Sequence, residues 1–213
     1  MSKFELVDTL FPDIPGMTTE QAQVLRNLID EEDARNILEI GFTSGKSSAY
    51  LSAILHDRGA GQLTSLGMQS ARNQSPNIDT LMAKTGLAHM VSPFYCKRAY
   101  TWELQRLINS DDPPRFDFCY FSGGLTWDQV GFGVVLVSML LRPGGILTLV
   151  NMDWSMQRSP YYKSRPEQTG RYDPDEIEAT PVRMVWDAIL PTLGFEHVRE
   201  YEDVRWGVAR KQL

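Results

Sequence analysis

The segment Asn36-Ile37-Leu38-Glu39-Ile40-Gly41-Phe42-Thr43-Ser44-Gly45 constrains the fold more than any other part of the chain. A short apolar run closed by glycine reads as a buried strand. The residues Tyr50, Leu51, Ile54 and Leu55 then share one face of a helix that starts at Ser44. A buried strand that turns directly into a helix opens a βα unit. The pattern recurs, with strands over 62–68, 89–94, 116–121 and 145–150 alternating with helices over 77–85, 100–108 and 127–141. This rhythm predicts a doubly wound, Rossmann-like α/β sheet, mostly parallel. Right-handed crossovers then place the ligand crevice at the carboxyl ends of the strands.

The two ends of the chain depart from the rhythm. Residues 1–17 carry Pro12, Pro15 and Gly16 and read as an irregular arm. Thr18, with Gln21 three residues on, forms a capping box for a helix from Thr19 to Asp33. This arm and helix, residues 1–35, are expected to be part of the same domain as residues 36–213. After the fifth strand come a long loop, Trp154 to Pro174, and a helix from Asp175 to Leu193. Phe195–Tyr201 and Val204–Ala209 then read as a hairpin joined at Glu202-Asp203, which completes a seven-stranded sheet with an antiparallel C-terminal strand.

Composition narrows the function. The net charge of −6 and the scattered Lys and Arg residues argue against nucleic acid as a partner. The longest apolar stretch, Val134 to Leu141, is interrupted by Ser138 and is too short to enter a membrane as a span. Met1-Ser2-Lys3-Phe4-Glu5 does not lead into a long apolar run, so the expectation is a soluble, cytoplasmic protein. Cys96 and Cys119 fall at a strand end and in a buried strand, where an unpaired cysteine acts as a small hydrophobe.

At the first turn, Gly41 and Gly45 are expected to allow a sharp bend and the close approach of a ligand to the backbone, with helix amides from Ser44 onward facing the crevice. Gly41-x-x-x-Gly45-Lys46-Ser47 is one residue short of a phosphate-binding loop, and a G-x-G-x-x-G fingerprint is absent. An NTPase and a dinucleotide enzyme are thereby excluded.

Three segments carry a family resemblance: Ile37 to Gly45, the fourth strand Phe116-Asp117-Phe118-Cys119-Tyr120-Phe121, and Leu140-Leu141-Arg142-Pro143-Gly144-Gly145-Ile146-Leu147. Together with Asn151-Met152-Asp153-Trp154, they resemble the class I S-adenosylmethionine-dependent methyltransferases, in particular the small-molecule O-methyltransferase-like branch. The resemblance runs from about residue 20 to the C-terminus. It implies S-adenosyl-L-methionine as cofactor and methyl transfer to a small-molecule acceptor. It also implies cofactor contacts from Glu39, Gly41, Phe42, Thr43, Ser44 and Gly45, from Gly67 and Met68 after strand two, from Arg98 after strand three, and from Ser122 after strand four. Glu39 would meet the amino-acid end of the cofactor.

The chain departs from that family at three places. Gly67, Met68 and Gln69 stand where an acid commonly holds the ribose, and Lys97-Arg98 stand where an acid commonly meets adenine. Ser122-Gly123-Gly124-Leu125 replaces the Asp-Gly-His of metal-dependent relatives, and no metal site is expected. An adenosine polar group left unpaired costs about 1–3 kcal/mol. A second reading therefore stays open: a methyltransferase-fold protein that no longer transfers methyl groups, either a repurposed enzyme or a non-catalytic partner subunit. For transfer itself, Asp153 is the candidate general base, with Asp128 behind it; His89 and His197 read as structural. Trp154, Tyr161, Tyr162 and Tyr172 form a candidate substrate lid, or a surface for a second copy in a homodimer. Trp102, Trp127 and Trp186 read as core or interface.

Overall fold

The computed structural model describes residues 1–212. Seven strands form one sheet in the order β3-β2-β1-β4-β5-β7-β6. They are β1 (Asn36–Phe42), β2 (Gln62–Met68), β3 (Val91–Cys96), β4 (Phe116–Phe121), β5 (Leu141–Leu149), β6 (Phe195–Tyr201) and β7 (Trp206–Lys211). The first five pair in parallel, and β7 is antiparallel to both β5 and β6. Strand order reverses between β1 and β4, the place where an open α/β sheet leaves a crevice.

Helices cover both faces. On one lie α1 (Lys3–Leu10), α2 (Thr19–Glu31), α3 (Lys46–Asp57) and α4 (Ile78–Thr85), sharing a core with Ile37, Phe118 and Ile146. On the other lie α5 (Tyr100–Ile108) and α6 (Trp127–Leu140), packed with Leu38, Cys119 and Leu147. Alternate residues of the central strands go to opposite cores, as the period of two requires. Cys96 and Cys119 are both free and buried. Among the described residues, no helix is long and apolar enough to cross a membrane.

Three sequence expectations need correction. The arm over residues 1–17 contains α1, whose Ser2 and Glu5 form a capping box and whose Phe4 and Val7 are buried. The expected helix from Asp175 to Leu193 is broken into Pro174–Glu178, Pro181–Met184, a π-helical turn Val185–Ile189 and a last turn at Pro191–Leu193. Each proline starts a new turn because it lacks an N–H and crowds the preceding carbonyl. The fifth strand begins at Leu141 and not at Gly145, with a register shift between Phe116 and Phe118 that takes up the Arg142-Pro143-Gly144-Gly145 turn. Asp117 clamps that bulge. It accepts from the amides of Arg35 and Asn36 at 2.8 Å and from Arg142 Nε at 2.6 Å.

A cleft over the carboxyl ends of β1 to β4

The carboxyl ends of β1, β2, β3 and β4 open into a cleft of about 1490 Å³. Gly41, Phe42 and Thr43 line it from the first turn, Gly67 and Met68 from the end of β2, Arg98 from beyond β3 and Ser122 from beyond β4. Three residues expected in that group lie elsewhere. Gly45 is the N-cap of α3, and its α-carbon faces Ile78 of α4. Ser44 is buried beside it, with a hydroxyl that finds no hydrogen-bond partner. Glu39 sits beneath the turn, wholly enclosed, where Ser47, Ser48 and Ser65 donate to its carboxylate. Burial pushes the Glu39 carboxyl above its usual range, and the three hydroxyls pull the other way. Its acceptor capacity is spent on holding α3 and β2 to β1, so it does not reach into the cleft.

The glycines of the turn answer to this chain's own packing. A Cβ on Gly41, whose φ is +107°, would stand 2.4 Å from the Gly123 amide nitrogen. A Cβ on Gly67 would stand 2.6 Å from the Phe42 ring, which closes over the end of β2 and meets Tyr95 edge-on at 5.5 Å. An aromatic wall thus occupies the β2 end of the cleft, next to a position that carries no carboxylate.

Two acids line the cleft, Glu103 and Asp128. Glu103 is bonded to Arg106 at 3.0 Å, and Asp128 accepts from the Thr126 hydroxyl at 2.6 Å. Asp153, the expected base, is outside it. It is 47% exposed in the turn after β5, between Arg158 at 3.7 Å and Arg205 at 3.6 Å. The backbone after β5 turns through a positive φ at Asn151, and the Met152 amide then donates to the Arg205 carbonyl, tying this stretch to the β6–β7 turn.

Trp154, Tyr161, Tyr162 and Tyr172 gather into one cluster, with Tyr162 at its centre at ring separations of 5.9, 5.3 and 6.1 Å from the other three. Arg165 stacks over Tyr161 at 4.0 Å. Burial, then the neighbouring tyrosines and Asp128, push the Tyr162 hydroxyl up to about 12. None of the four lines the cleft. Of the three tryptophans expected in core or interface, Trp186 is buried while Trp102 is 61% exposed and lines the cleft. Its position at the first turn of α5 becomes visible only once α5 is seen to border the crevice. His197 stacks on Trp186 at 3.9 Å and bonds its carbonyl.

A smaller cavity of about 550 Å³ lies between the arm and α3. Lys46 is buried at its edge, donating to the carbonyls of Pro12 at 3.3 Å and Ile14 at 3.0 Å. Among the described residues, no three His, Cys, Asp or Glu side chains come together as a metal site would need.

No protein-family model matches the chain, and no curated protein matches it in sequence. Solved structures do match. The O-methyltransferase TomG from Streptomyces achromogenes, involved in tomaymycin synthesis and crystallised with SAM, aligns at 19% identity with a TM-score of 0.67, over 99% of this chain and 88% of its own. An O-methyltransferase from Bacillus cereus in complex with SAH aligns at 17% identity with a TM-score of 0.68, over 99% and 90%. The SAH-bound methyltransferase PaMTH1 of Podospora anserina aligns at 15% identity with a TM-score of 0.67, over 99% and 86%. The chain has the fold of these methyltransferases along nearly its whole length.

Proposed function

We propose that this protein transfers a methyl group from S-adenosyl-L-methionine to a small-molecule acceptor, without a metal ion. The observation that carries the reading is the cleft itself. It lies at the strand-order reversal, bordered by the first turn, in a fold shared end to end with methyltransferases crystallised with SAM or SAH.

The cleft's donor set fits that cofactor. Thr43 and Ser70 offer hydroxyls and Gln74 a carboxamide for the ribose and amino-acid groups. The Ser122 hydroxyl donates to the carbonyls of Ile40 and Gly41 and keeps only its acceptor side. Leu66, Met68 and Ala71 offer apolar surface for a purine. The cofactor supplies an electrophilic methyl group on a sulfonium. The chain's part is to orient an acceptor and take up its proton. Asp128 is the carboxylate at the β4 side of the cleft and is the general base in this reading; Asp153, paired with two arginines, holds the turn after β5. The cluster around Tyr162 borders the acceptor, and the exposed Phe132 and Met139 of α6 form a face on which a second copy could pair.

Titration calorimetry with S-adenosylmethionine and S-adenosylhomocysteine tests the reading. Micromolar affinity is expected, and absence of binding at millimolar cofactor overturns it. One observation favours the second reading, a methyltransferase fold without methyl transfer: the cleft residues directly after β2 and β3 include Lys97 and Arg98 and no acid before Glu103 of α5, around a ligand that is itself cationic. Loss of cofactor binding in that titration would favour the second reading, and binding without release of S-adenosylhomocysteine in the presence of acceptors would do the same.

A further inference from the structure

We infer that the β3 side of the cleft is an anion subsite that binds a phosphate monoester, the charged end of a nucleotide or of a phosphorylated small molecule. The inference rests on the reading of the cleft as the ligand site and needs no methyl transfer.

Charge is the first argument. In a chain of net charge −6, Arg58, Arg142, Arg183 and Arg210 are each held by a carboxylate. Lys97 and Arg98 line the cleft and are exposed, and among the described residues neither makes an ion pair or a side-chain hydrogen bond. Of the two acids in the same cleft, Glu103 is paired with Arg106, which also lines it, and Asp128 accepts from the Thr126 hydroxyl and keeps its charge on the β4 side. A third cation, Arg72, stacks at 3.8 Å on the ring of Tyr95, which is itself part of the cleft wall. Tyr95 is braced by Phe42 and by a 3.4 Å hydrogen bond to Asp79, so Arg72 rests on a fixed platform. Lys97, Arg98 and Arg106 outnumber Glu103 and Asp128 among the charged residues that line the cleft, so its lining carries a small positive excess in a chain of net charge −6.

The backbone adds to this. Helix α5 begins at Tyr100, directly after Arg98-Ala99, and Ala99 at its N-cap provides no side-chain acceptor for the first amides. Ala99, Tyr100 and Thr101 all line the cleft, so the first amides of α5 face the same space as Lys97 and Arg98, with Glu103 of the same turn paired to Arg106. Phosphate oxygens can accept from a guanidinium, an ammonium and main-chain amides together.

The test compares adenosine, adenosine 5′-monophosphate and inorganic phosphate by calorimetry, on the full chain and on Lys97→Ala/Arg98→Ala. Both side chains are exposed, and unchanged circular dichroism will show that the double variant folds. The monophosphate is expected to bind about tenfold or more tighter than adenosine, the effect of one charge-assisted hydrogen bond. That preference should vanish in the double variant, survive in Lys97→Arg/Arg98→Lys, and weaken as salt rises. Competition by inorganic phosphate would mark the free anion as sufficient; its failure beside a tight nucleotide would assign the site to the phosphate of a nucleotide. Equal affinity for adenosine and its monophosphate, or a preference that persists without both cations, overturns the inference. S-adenosylmethionine titrated on the same preparation keeps the two readings apart, because either can fail while the other stands.

Discussion

The α-carbon of Gly41 faces the backbone of Gly123 so closely that the first turn and the segment after β4 meet without any side chain between them. Gly41→Ala would set a Cβ against the Gly123 amide in a backbone conformation that L-residues rarely adopt. The expected loss is roughly 2–4 kcal/mol of folding stability. Urea denaturation should show a lower midpoint at unchanged slope. A variant as stable as the parent would mean that the two segments can separate freely.

Phe42 and Gly67 form a second pair of this kind. Gly67→Ala pushes on the Phe42 ring, which is enclosed by Tyr95, and overpacking of this sort costs about 1–3 kcal/mol. Phe42→Leu removes the ring edge that would collide. The double variant should therefore be less destabilised than the sum of the singles, a coupling measurable by a double-mutant cycle. Simple additivity would show that the ring is not what Gly67 accommodates.

Glu39 makes a pH prediction. Burial raises its carboxyl in the folded protein, against three serine hydroxyls that favour the anion. The folded state then keeps a proton that the unfolded chain has already lost, so this group's contribution to stability declines as pH rises from the ordinary glutamate range to the folded value. Glu39→Gln removes the titration while keeping an acceptor for Ser48 and Ser65. Its stability relative to the parent should climb through that window and then level off. Urea midpoints taken at a series of pH values upward from the ordinary glutamate range follow it. A pH-independent difference would contradict the raised carboxyl.

Lys46 links the arm to α3. Lys46→Met keeps the apolar stem but leaves the carbonyls of Pro12 and Ile14 without their donor, at a cost of about 1–3 kcal/mol. Amide exchange over residues 12–18, followed by mass spectrometry, should speed up while β1 and β4 stay protected. Uniform behaviour across the chain would show that the ammonium does not fasten the arm.

Much of this protein was legible in order along the chain. The alternation of apolar runs and helical faces set the strand sequence, and glycine at the end of β1 marked the turn, because period and turn chemistry are local properties. The Ser2–Glu5 capping box is equally local, but the prolines that follow it mask the short helix it starts. Other features depended on neighbours distant in sequence. That Glu39 is enclosed by Ser47, Ser48 and Ser65, that Gly41 meets Gly123, and that Asp153 is drawn to Arg205 all follow from which segments the sheet brings side by side. Residue type by itself determined that a turn and a crevice would exist. Only the tertiary packing decided which side chains open into that crevice, since burial and pairing depend on the whole set of surrounding groups and not on the residue that carries the charge.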